Sequence, residues 1–210
     1  MWSSRKLFLS LIIVLVVAFG AGSLFGAPIK RIEFHDAMRT LWIDHVVWTR
    51  LFIVSAAGDL PDKKPVTTRL LANQKDIGDA MRPFYGDAAG EKLTSLLTEH
   101  ITIAAELVEA AKMKNSEKKE AASGRWSANA NDIAKFLSEA NPSHWSADEM
   151  KAMMEEHLEL TMAEVAARLK GDWKEDIATY KKVQDQALRM ADMLSDGVIA
   201  QFPQHFAEVN

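Results

Sequence analysis

The sequence predicts an all-α protein, an up-and-down bundle of about six helices built from three related helical hairpins. Three observations predict it. Apolar residues recur with a helical period through most of the chain beyond residue 30. Proline and glycine are sparse, 6 and 10 of 210 residues, and they fall between the periodic stretches, Gly78 and Gly197 excepted. A pattern of acid, histidine, apolar, variable, apolar, small returns in the first, third and fifth stretches, and a fixed long period marks an internal repeat.

The elements follow in chain order. Arg5 and Lys6 precede a run from Leu7 to Ile29 that carries no charge for 23 residues, against the roughly 20 that a bilayer requires. Residues 1–29 therefore read as a signal peptide or an N-terminal membrane anchor, the anchor being preferred. As a signal, Leu7 to Val17 is the apolar region and Ala18 and Gly20 supply small residues for cleavage after Gly20. As an anchor, Gly22 and Gly26 form a GxxxG. Either way the basic flank sends residues 30–210, one helical-bundle domain, out of the cytoplasm, membrane-anchored or secreted.

Within that domain the expected helices are Ile32 to Ala57, Pro65 to Arg82, Ala88 to Lys114, Arg125 to Ala140, Ala147 to Lys170 and Trp173 to Gln201. Pro65 suits a first turn, where its missing N–H is not needed. Gly58 and Gly171 stand where a helix ends on a left-handed residue. Ser146 with Glu149, and Asp172 with Glu175, have capping-box spacing. Asn115 to Gly124, the most polar stretch, reads as a short linker. No β-sheet is expected.

Composition excludes several functions. A net charge of -4 and an isoelectric point near 5.9 leave no basic excess for phosphates, so no nucleic-acid partner is expected. Without cysteine there is no thiolate metal site and no thiol nucleophile. No GxSxG elbow, Gly-rich phosphate loop or Walker sequence occurs.

The repeat organises what chemistry remains. Its copies are Asp44-His45-Val46-Val47-Trp48-Thr49, Glu99-His100-Ile101-Thr102-Ile103-Ala104 and Glu156-His157-Leu158-Glu159-Leu160-Thr161. In an up-and-down bundle the odd helices are parallel, so the three histidines fall at similar height. The even helices carry Asn73 with Asp76 and Asn129 with Asp132, three apart and expected to share a face. Glu164 follows His157 by two turns. A metal set of His45, His100, His157, Glu164, Asp76 and Asp132 is the sharpest expectation, with Zn or Fe as the ion. Met150, Met153, Met154, Met190 and Met193 make Cu a weaker choice, since methionine at helical spacing is ordinarily core filling. The blander reading is a layer of interhelical hydrogen bonds that fixes which helix packs on which.

The strings LWIDHVVWTR, RLLANQKDIGDAMRPFYGDAAGEKLTSLLTEHITIAAELVEAAK, EEHLELT and MADMLSDGVIAQFP resemble an uncharacterised family of bacterial and archaeal all-helical proteins. The resemblance covers about residues 37–206. Its members often carry automatic labels such as glycosyltransferase or acetylglutamate kinase, which nothing in an all-helical chain fits, and it implies no catalytic residues. Family members often have histidine in the middle of the last helix, where this chain has Gln184 and Gln186. The expected function is an extracytoplasmic binding or structural protein holding a metal ion at an interior histidine layer. The alternative is a metal-dependent enzyme using the same layer.

Overall fold

The computed structural model describes residues 29–207. Six long helices make up nearly all of them: α1 (Arg31–Gly58), α2 (Lys63–Tyr85), α3 (Asp87–Lys112), α4 (Ser116–Ala140), α5 (Ala147–Lys170) and α6 (Trp173–Gln201). Each packs on its neighbours in sequence, and α6 returns to pack on α1, which closes the ring. The odd helices α1, α3 and α5 also touch one another, forming an inner set whose outer grooves the even helices fill. The expectation of an all-α bundle of about six helices is met.

Local signals act largely as expected. Ser146 Oγ accepts from the Glu149 N–H at 3.3 Å, and an Asp172 carboxylate oxygen accepts from the Glu175 N–H at 3.1 Å. Gly171 caps α5 at φ 74°, a left-handed conformation that costs glycine little. At the end of α1 the left-handed residue is Asp59, not Gly58, which still belongs to the helix.

Two helix boundaries and one strand pairing depart from expectation. Helix α4 begins at Ser116, so most of the polar stretch expected as a linker is helical. Glu, Lys and Ala are strong helix formers, and the Asn115 side chain caps the helix by accepting from the Lys118 N–H at 2.9 Å. Helix α2 runs through Pro83 to Tyr85, the proline standing in the last turn. A two-residue parallel pairing also joins β1 (Ile29–Lys30) to β2 (Phe206–Ala207), with Ile29 opposite Phe206. The expectation of no sheet at all is corrected to that extent.

The core divides along the helix axes. Phe34, Met38, Trp42, Met81, Leu97 and Met154 belong to the half nearer the chain ends. Phe52, Ile53, Leu70, Ile101, Val108 and Val165 belong to the far half. Between these halves lie the repeated histidines. Trp145 is fully buried against α6, where an added Cβ on Gly197 would lie 1.9 Å from the indole nitrogen; only glycine admits the ring there. Among the described residues no helix is long and apolar enough to cross a membrane. The targeting segment expected at residues 1–29 lies, but for Ile29, outside the described residues.

Candidate functional site: a buried imidazole layer

The three repeat histidines meet. His45, His100 and His157 stand on the inward stripes of α1, α3 and α5, each flanked at helical spacing by buried apolar residues such as Trp42, Leu97 and Met154. The His157 ring lies 5.8 Å from that of His45 and 6.0 Å from that of His100, centroid to centroid. All three are buried, at 3%, 3% and 5% exposure in chain order.

Each ring is held from the neighbouring even helix by an amide 29 residues further along. His100 Nδ1 donates to Asn129 Oδ1 at 2.8 Å, while Asn129 Nδ2 donates to the Leu96 carbonyl at 3.1 Å. His157 Nδ1 donates to Gln186 Oε1 at 3.2 Å, while Gln186 Nε2 donates to the Met153 carbonyl at 3.1 Å. In both hairpins the accepting carbonyl belongs to the residue one turn before the histidine. The first hairpin splits the task. Asn73 Nδ2 donates to the Leu41 carbonyl at 3.1 Å, and Gln74 Nε2 meets His45 Nδ1 at 3.3 Å. One amide thus ties a ring and a backbone carbonyl of the adjacent helix together, which fixes both register and facing.

Burial keeps the layer neutral. Desolvation foremost, then the neighbouring imidazoles, push His45 and His100 down to about 3. His157 shifts down for the same first reason. The His100 ring lies tilted against Trp126, centroids 5.1 Å apart, and its Nε2 is buried without a hydrogen-bond partner.

The expected carboxylates are elsewhere. Asp76 and Asp132 are exposed, Asp76 bonding to Arg69 at 3.2 Å. Glu164 is buried but belongs to a separate charged centre, where Arg50 donates to it at 2.8 Å. Arg50 also grips Asp176 with both terminal guanidinium nitrogens, Nη1 and Nη2, and Arg168 approaches Asp176 at 3.3 Å. Desolvation raises the Glu164 carboxyl to about 7, and the Arg50 hydrogen bonds hold Asp176 below the ordinary range. Of the residues expected from sequence as a metal set, the three imidazoles converge and the three carboxylates stand elsewhere. Among the described residues no group of three or more His, Asp or Glu is arranged to hold a metal ion. The candidate copper ligands Met150, Met153, Met154 and Met190 pack in the core among Leu, Phe and Trp side chains.

Sequence reasoning missed Gln74, Gln186 and Arg50. The two glutamines were detectable, since the interval from histidine to amide is the same in all three hairpins. Arg50 has no counterpart in the other repeats. Fold and layer together define a bundle of three duplicated hairpins around a neutral imidazole centre. Compared with family models, with curated proteins and with solved structures, the chain matches none.

Proposed function

We propose that this protein is an extracytoplasmic, non-enzymatic binding or structural bundle in which the imidazole layer specifies how the three hairpins pair. The observation that carries this reading is the repeated clamp, in which one amide of α4, one of α6 and two of α2 bond the ring and backbone of their own hairpin. Buried polar groups that must all be paired penalise any other helix arrangement. The depth of the layer also favours a non-enzymatic role, since a catalytic metal needs an open coordination position reached from solvent. Export rests on residues 1–29. Intact mass of the membrane-derived protein distinguishes a retained anchor from cleavage after Gly20, and the full chain recovered soluble from cytoplasm overturns export.

A second reading is favoured by one observation, the unpartnered His100 Nε2 beside two further imidazoles. With metal–nitrogen bonds of about 2.0–2.1 Å, imidazoles sharing one Zn or Fe ion have ring centroids roughly 5–5.5 Å apart. The observed spacings of 5.8 and 6.0 Å exceed that by less than an ångström. Neutral imidazoles are competent ligands near pH 7. Thermal melting with chelator and with added Zn decides between the readings. The structural reading expects an unchanged melting temperature, with His100→Ala still destabilising. The metal reading expects a rise that His100→Ala and His157→Ala each abolish, because an ion bound only by the native state stabilises it by mass action.

A further inference from the structure

A cavity among the described residues opens on the outside of the bundle, and the role proposed for the imidazole layer leaves it unused. Helices α2 and α4 both pack on α3 without packing closely on each other, so an outward stripe of α3 is left open between them. The resulting groove measures about 780 Å³. Small-molecule sites typically fall in the range of about 300–1,000 Å³. Its wall and floor are apolar: Phe52 from α1, Leu71 from α2, Ile101 and Ala105 from α3, Ala121 and Ala122 from α4. The alanines keep it open, since a leucine at Ala105 or Ala121 would fill it. From Ile101 to Met113 the stripe runs roughly 18 Å at about 1.5 Å per residue, so the groove is long.

Its polar groups stand at the rim. Lys63 bonds to Glu109 at 2.7 Å, and Arg125 pairs with Glu106. Lys118, also on the rim, has an ammonium with no ion pair. That leaves one positive charge in excess on the rim, at the end where α2 and α4 begin and α3 ends, so the excess rests on the Lys118 side chain and not on the helix ends, whose partial charges there are of both signs. A protein partner of ordinary size would need apolar surface continuing beyond the groove. Of the exposed large apolar side chains, only Met113 borders it. The apolar surface is concave, elongated and confined, with a free cation at one end.

We infer that this groove binds a single-chain amphiphile with an anionic head, a long-chain carboxylate, its alkyl chain lying along α3 and its carboxylate at Lys118. The inference stands independently of the imidazole layer. It is tested on the full chain in membranes with a palmitate analogue carrying a photoreactive diazirine at its methyl end, the labelled peptides being mapped by mass spectrometry. Labelling is expected on residues 101–125 and is competed by excess palmitate. Ala105→Leu combined with Ala121→Leu fills the groove and is expected to weaken labelling there at least about tenfold, a loss of about 1.4 kcal/mol. Lys118→Glu, on an exposed side chain that cannot endanger the fold, is expected to raise the half-saturating concentration about fivefold, the scale of one exposed charge pair. The same variant should leave labelling by a neutral-headed alcohol analogue unchanged. Labelling absent from residues 101–125, or equal in wild type and in both variants while circular dichroism remains native, overturns the proposal. So does loss of labelling accompanied by self-association of the wild-type chain through this face, which would make a second copy the occupant.

Discussion

Two buried polar centres stand two helical turns apart on α5, at His157 and at Glu164, and they are built on opposite principles. The imidazole layer is neutral and is repeated in all three hairpins. The Arg50, Glu164, Asp176 and Arg168 centre is charged and occurs once. Positions equivalent to Glu164 in the other repeats are Phe52 and Leu107. The difference follows from what each centre joins. The amide clamps act inside a hairpin, between helices adjacent in sequence, so duplication copies them. Arg50 on α1 meets Glu164 on α5 and Asp176 on α6, across the seam where the last hairpin closes on the first. Of the six pairings around the ring, that seam is the one a short loop does not enforce, and it carries further unrepeated contacts in Arg39 with Asp192 and His35 with Ser195.

If the seam is held by charge and the hairpins by amides, Arg50→Ala is the most damaging of the changes considered. It leaves Glu164 and Asp176 buried without their main cation, a loss of about 3–5 kcal/mol for a broken buried pair. Urea denaturation reads it, and a loss under 1 kcal/mol would erase the distinction between seam and layer. His100→Ala comes next. It removes the ring from Trp126 and strands Asn129 Oδ1, for about 2–4 kcal/mol by the same measurement.

The two centres also answer pH in opposite directions. Between its ordinary 6.5 and about 3, an unfolded chain protonates the equivalents of His45 and His100 while the native state does not. The unfolded state then binds more protons, so stability falls as pH drops below 6.5. For Glu164, raised from 4.5 to about 7, the native state keeps a proton that the unfolded chain has lost. That stability is present at low pH and is lost as pH rises from 4.5 through 7. Glu164→Gln is expected to flatten the upper limb of the stability profile, by on the order of 2 kcal/mol, and to leave the acid limb in place. An unchanged upper limb assigns it to another group.

Smaller effects sharpen the comparison further. Asn129→Ala, which strands His100 Nδ1 and the Leu96 carbonyl, is expected to cost about 1–2 kcal/mol in denaturant titration. Asp76→Ala and Asp132→Ala, both at exposed positions, should change stability by no more than about 0.5 kcal/mol. A larger loss at either would restore a carboxylate to the interior.

The repeat spacing made the histidine convergence legible, because period and helix direction together fix height. Asp76 and Asp132 stand off the histidine layer for a geometric reason. Residues three apart are offset by about 60° around a helix, enough to move Asp76 and Asp132 from the seam beside Asn73 and Asn129 out to solvent. The role of Gln186 on His157 is not legible from local pattern, because α6 carries Gln186-Ala187-Leu188-Arg189 where α4 has Asn129 and Asp132 three apart, and its nearest likeness to that pattern falls earlier, at residues 173–178. The seam could not be read from local pattern at all, since Arg50 acquires its role only when residues 114 and 126 positions away fold back on it. The start of α4 was hidden by polarity: Glu and Lys favour a helix even where nothing buries it.

The parallel pairing of Ile29 with Phe206 sets the two ends of the described chain side by side. With three hairpins in a closed ring, none of them is structurally first. A short peptide from Ala207 to Ile29 and a break in the turn at residues 113–115 would yield a circular permutant beginning at α4, with every helix keeping its neighbours. In such a chain α1 and α6 become sequence neighbours, so their seam would be enforced by a tether, and the Arg50 centre would be relieved of the task of closing the ring.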